Sequence, residues 1–144
     1  MSHHCEAAVI TCEDFRLHQR KDGRNYIAEF IKDLAVDCDL ITRGGGIQDL
    51  VRSKQESFSP CLLRDAEVSA KLHSAKTIYL INHEDCGAYG ELDLKPGEEE
   101  QEQHSKDLKQ AMAILEEKFP GVRVRIFLAY LKKGSKDVFE IKEL

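Results

Sequence analysis

Four short runs rich in β-branched and aliphatic residues recur along the chain, each separated from the next by a helical pattern. "AAVIT" (7–11), "CDLITR" (38–43), "KTIYLIN" (76–82) and "VRVRIFLAYL" (122–131) have the length and apolar continuity of buried strands. In the first interval, Ile27, Phe30, Ile31 and Leu34 form an apolar stripe at helical spacing within residues 23–36. The second interval predicts a short helix over 47–52, then a longer one from Pro60 to Leu72 with Ser59 as its cap. In the third, Leu108, Met112 and Leu115 give a helix its apolar side. Glu98, Glu99 and Glu100 stand at its start, where negative charge suits the helix dipole, and Pro120-Gly121 ends it. "DVFEIKEL" (137–144) alternates after a Gly134-Ser135 turn, as an edge strand does.

This order predicts an α/β fold: a mostly parallel four-stranded sheet, helices on both faces joined by right-handed crossovers, and a C-terminal antiparallel edge strand. No repeat or linker interrupts residues 1–144, so a single domain is expected, long enough to bury a core without staples. Sheets of this kind bind ligands beyond the carboxyl ends of their strands, where strand order reverses. If strands one and three are central neighbours, Cys12 at the end of one meets His83 at the end of the other, with Cys86 three positions on.

Composition narrows the partners. A net charge of -5 argues against nucleic acid or an anionic membrane as the main partner. No apolar run approaches the roughly 20 residues that span a bilayer. "MSHHCEAAVITC" lacks a secretory pattern, so a cytoplasmic location is expected. Five cysteines, an odd number scattered along such a chain, speak for free thiols or metal ligands rather than a disulfide framework. Cys38 and Cys61 read as small buried hydrophobes. His3, His4 and Cys5 read as a frayed terminus. His73 and His104 read as surface residues, as does His18, which lies near enough to Cys12 to be weighed as a proton shuttle. Tyr89 reads as a wall of the site.

Two thiolates and one imidazole are good zinc ligands, and a catalytic zinc site keeps its fourth position open. Asp14 lies two residues beyond Cys12 and Arg16 two beyond that. An arginine so placed keeps the carboxylate ionised and oriented, ready to accept a hydrogen bond at the metal. "RGGGIQ" lacks the lysine of a phosphate-binding loop and reads as a tight turn that needs positive φ or close backbone approach.

C-x-D-x-R after the first strand (Cys12, Asp14, Arg16), with H-x-x-C-G after the third (His83, Cys86, Gly87), resembles the β-class carbonic anhydrases over residues 7–90. "LITRGGGIQD" is similar to the family's small-residue turn lining the active site, although three glycines replace its frequent Ala-Gly-Asn. The resemblance implies zinc on Cys12, His83 and Cys86, and an Asp14–Arg16 pair that controls the fourth ligand. It implies reversible hydration of carbon dioxide to bicarbonate, in a homo-oligomer. Two other readings stay open: a non-catalytic zinc protein in which Asp14 closes the metal site, and a hydrolase of carbon disulfide or carbonyl sulfide.

Overall fold

The computed structural model describes residues 3–144. Five strands, β1 (Ala7–Cys12), β2 (Cys38–Arg43), β3 (Thr77–His83), β4 (Arg123–Leu131) and β5 (Phe139–Glu143), form one sheet in the order β2-β1-β3-β4-β5. The first four are parallel, and β5 runs antiparallel to β4 at the edge. The expected edge strand thus joins the sheet and makes five strands of the expected four. Strand order reverses between β1 and β3. Thr11 pairs with both Thr42 and Ile81, so the carboxyl ends of the central strands finish level.

Helices α1 (Tyr26–Leu34), α2 (Gln48–Val51), α3 (Phe58–Glu67) and α4 (Glu98–Lys118) cover both faces. On one face Ile27 is buried against Val9 and Ile81. There the ring of Phe30 packs edge-on to Phe127 and Tyr79, with centroids 5.0 and 5.8 Å away. On the other face Leu62 from α3 and Leu108, Ala111 and Leu115 from α4 lock onto Ile10, Ile78 and Leu80. Burying each large aliphatic side chain contributes about 1.5–3 kcal/mol. Asn25 caps α1 by accepting from the Ala28 N–H at 2.9 Å.

Several details depart from the sequence reading. Helix α3 begins at Phe58, so Ser59 lies inside its first turn rather than at the cap. Ser57 takes the cap position without a side-chain hydrogen bond. A turn closed by the Phe58 N–H on the Gln55 carbonyl, 3.1 Å, winds the chain before Ser59 is reached. Beyond Glu67 the helix widens into a π-helical turn, Val68–Leu72, closed by the His73 N–H on the Val68 carbonyl at 3.1 Å. Cys61 is exposed and Cys38 only half-buried, so neither is a core residue; burial still pushes the Cys38 thiol up to about 11. His104 is fully buried: it shares the inner stripe of α4 with Glu100, Leu108, Ala111 and Leu115. Among the described residues no helix is long and apolar enough to cross a membrane.

Candidate metal centre

Cys12, His83 and Cys86 meet at the carboxyl ends of β1 and β3, all three buried, with their donor atoms within 4.8 Å of one another. The two sulfurs are 3.9 Å apart. That is far beyond a disulfide bond and close to the separation of about 3.8 Å for two thiolates on one tetrahedral zinc with bonds near 2.3 Å. The Cys86 thiol, with His83, pulls the Cys12 thiol well below its ordinary value against the opposing effect of burial. The resulting Cys12 thiolate, with burial, pushes Cys86 up. A cation held by both sulfurs would displace any proton left on the pair.

His83 is oriented for the same purpose. Its Nδ1 is 2.8 Å from the Glu84 carbonyl, which can only accept, so Nδ1 carries the hydrogen and Nε2 keeps its lone pair. That Nε2 is buried and has no hydrogen-bond partner. A metal-ligating histidine shows this pattern, one nitrogen tied down and the other free for the ion. The donor set and the orphaned nitrogen both fit zinc.

Asp14 and Arg16 leave β1 through a 3-10 turn, Phe15–Leu17, which Asp14 caps by accepting from the Arg16 N–H at 2.9 Å. Arg16 grips both Asp14 oxygens through Nε and Nη2, at 2.7 to 3.2 Å. Its remaining donors reach the Asp85 carboxylate (2.8 Å), the Asp85 carbonyl (2.9 Å) and the Lys136 carbonyl (3.0 Å). The guanidinium also lies over the Phe139 ring, 5.5 Å from its centroid. Burial raises the Asp14 carboxyl, but the bonds from Arg16 and the proximity of His83 outweigh it and hold the group below the usual carboxylate range. Asp14 Oδ2 is 3.9 Å from His83 Nε2, so the carboxylate faces the donor cluster without filling it.

The glycine turn packs against the loop that carries Cys86. Gly45 and Gly46 have φ of +80° and +59°, and a Cβ on Gly46 would come within 2.9 Å of Asn82 Oδ1 and 3.4 Å of the Cys12 nitrogen. Gln48 ties the turn across by donating to the Ala88 carbonyl at 3.0 Å. The tight turn is therefore required by positive φ and close approach together. His18 donates its Nε2 hydrogen to the Cys12 carbonyl, 2.8 Å away, which makes it a brace for the ligand strand. Tyr89 is buried, with its hydroxyl 3.1 Å from Asn82 Nδ2.

Three residues that position the site escaped the sequence reading. Glu84 is buried between His83 and Cys86 in the chain, accepting from the Leu131 N–H at 2.6 Å and from Gln101 at 2.7 Å. Glu100 on α4 accepts from the Asp85 N–H at 2.6 Å. Asp85 itself has φ of +56°, a left-handed backbone that aspartate tolerates better than most residues. An open cavity of about 820 Å³ adjoins Cys86, with Glu84, Tyr130, Lys132 and Ser135 in its lining.

The chain belongs to the family described as "Putative carbonic anhydrase", whose model matches residues 2–136. It is 31% identical to an uncharacterized protein of Rickettsia bellii over 138 residues, 92% of this chain and 80% of the relative. A carbonic anhydrase from Streptococcus mutans superposes with a TM-score of 0.60 at 16% identity, over 99% of this chain and 82% of that one. A carbon disulfide hydrolase in its apo form is similar at a TM-score of 0.50 and 15% identity, covering 90% and 76%. Structural likeness at such identity establishes the fold alone.

Proposed function

We propose that this protein is a zinc enzyme that reversibly hydrates carbon dioxide to bicarbonate, with Cys12, His83 and Cys86 holding the metal and residues 1–144 acting as one domain. The observation that carries the reading is the free Nε2 of His83, buried beside two thiols. Leaving such a group unpaired costs about 1–3 kcal/mol, a cost that a bound cation removes. Zinc, when bound, is a Lewis acid that supplies hydroxide from water near neutral pH.

The chain's own residues would do the rest. Asp14 offers an anionic acceptor toward the donor cluster, which fixes the nucleophile's hydrogen and leaves a lone pair for carbon dioxide. Arg16 keeps that acceptor ionised and in place. Because both Asp14 oxygens are committed to Arg16, the reading with an open fourth position is favoured over one in which Asp14 closes the metal site. The cavity beside Cys86 offers an approach for so small a substrate from the Cys86 side of the cluster. A reducing, cytoplasmic setting suits two thiols 3.9 Å apart. A homo-oligomer belongs to the same reading, supported by exposed apolar side chains at Phe15 and on edge strand β2 at Leu40.

Oxygen-18 exchange between carbon dioxide and water, measured on protein of known zinc content, tests the proposal. Catalysed exchange in the wild type that falls in Asp14→Asn supports it. Zinc-loaded protein with no exchange at any pH would leave the non-catalytic reading. Sulfide release from carbon disulfide without exchange would transfer the site to the hydrolase reading.

A further inference from the structure

The ends of the sheet opposite this centre also bring cysteine, histidine and aspartate together. Cys5 immediately precedes β1, Asp39 is the second residue of β2, and His73 follows the π-helical turn that leads toward β3. Ala7 pairs with both Cys38 and Thr77, which sets the amino ends of the three strands level. The Cys5 N–H donates to the His73 carbonyl at 3.0 Å, and the Lys76 N–H to the Glu6 carbonyl at 3.0 Å, fixing the segment before β1 against the one before β3. All three side chains are half-buried, with donor atoms within 4.8 Å of one another. His73 Nδ1 lies 2.6 Å from Asp39 Oδ2, and the His3 ring stands edge-on to His73 with centroids 6.5 Å apart.

We propose that Cys5, Asp39 and His73 form a second metal site, for a divalent transition cation such as zinc, at the amino end of the sheet. The donor set decides the class of ion. One thiolate, one imidazole and one carboxylate suit a borderline-soft cation, whereas calcium and magnesium call for several oxygens. The thiolate and carboxylate together cancel the double positive charge. Tetrahedral zinc spaces its donors by about 3.5 Å, so His73 Nδ1 and Asp39 Oδ2, now 2.6 Å apart, have to open while the Cys5 sulfur stays within reach of both. His3 or water can take the fourth position. Binding breaks the Cys5 S–H bond, forms a sulfur–metal bond and releases one proton to buffer. A π-helical turn just before a ligand is consistent with a functional site, because such turns recur there.

Cobalt(II) titration of the full chain, followed by its thiolate-to-metal charge-transfer absorption, tests the site. Two equivalents per chain are expected. Cys5→Ser and His73→Ala should each reduce two equivalents to one, and Asp39→Asn should weaken the second equivalent by at least tenfold. Cys12→Ser should leave that equivalent in place, which separates this site from the one at the carboxyl end. A wild type that binds one equivalent overturns the proposal without recourse to any variant. So does a second equivalent that survives His73→Ala but is lost when His3 and His4 are both changed to alanine, because terminal imidazoles would then be binding alone. Unchanged far-ultraviolet circular dichroism in each variant separates loss of ligand from loss of fold.

Discussion

The two ends of the central strand pair carry the same kinds of atom in different states of readiness. At the carboxyl end, Cys12, His83 and Cys86 are buried, and the imidazole is fixed by one hydrogen bond with its other nitrogen free. At the amino end, Cys5, Asp39 and His73 are half-buried, and the imidazole is already occupied by a carboxylate 2.6 Å away. A cation entering the first site fills an unmet need, whereas one entering the second must break the hydrogen bond between His73 and Asp39. Proximity of donors is thus common to both, and burial with an orphaned lone pair is what separates them. The carboxyl end should bind more tightly.

The largest effect is expected from removing a buried ligand. His83→Ala or Cys86→Ser should lose the carboxyl-end equivalent of zinc and all catalysed exchange, as metal analysis after dialysis and oxygen-18 exchange would show. Retention of full zinc in Cys86→Ser, with the amino-end site removed by Cys5→Ser, would end the assignment. Next come Asp14→Asn and Arg16→Ala, which should keep the zinc and lower turnover at least about tenfold, as loss of a ligand's supporting partner does. Normal turnover in Arg16→Ala would show that its clamp is only structural.

The third contrast concerns stability. Glu84→Gln weakens a buried, charge-assisted bond to the Leu131 N–H and should cost about 1.5–3 kcal/mol in urea unfolding. Asp39→Asn, whose hydrogen bond to His73 is partly exposed, should cost less, about 0.5–1.5 kcal/mol, when no metal is present. Equal costs would erase the distinction between the ends.

The smallest effect is one of pH. Hydrogen bonds from Arg20 and Arg24 pull the Asp137 carboxyl down to about 2, beside the carboxyl-end site. A carboxyl depressed from an unfolded value of about 3.9 adds stability that is complete above that pH and is lost as pH falls through the folded value. The urea midpoint of wild type should therefore exceed that of Asp137→Asn at neutral pH by a small margin, and the gap should close progressively between about pH 5 and pH 1. A gap that persists undiminished at about pH 1 would mean that the arginines do not act through this charge.

Sequence periodicity carried most of the fold, because four apolar runs and their helical intervals each bury a face whose spacing is local. The site followed from topology: once β1 and β3 are neighbours, Cys12 and His83 must meet. What escaped depends on contacts far apart in the chain. No spacing rule joins Arg16 to Lys136, or Glu84 to Leu131. The buried Glu100 and His104 were legible in principle, since they share the helical spacing of Leu108, Ala111 and Leu115, but their polarity masked it. Cys5, Asp39 and His73 lie too far apart in sequence for a motif, and only strand register aligns them.

The clamp on Arg16 has a consequence for how the protein is made. Synthesis runs from the amino end, so Cys12, Asp14, His83 and Cys86 leave the ribosome well before Lys136 and Phe139. Until those late residues emerge, Arg16 lacks both the Lys136 carbonyl and the ring beneath its guanidinium. The thiols and the imidazole can thus gather while Arg16, which holds Asp14, still lacks part of its own support. On the proposed function, metal capture and catalytic competence would then be separate events on the growing chain, the second completed only when Lys136 and Phe139 arrive.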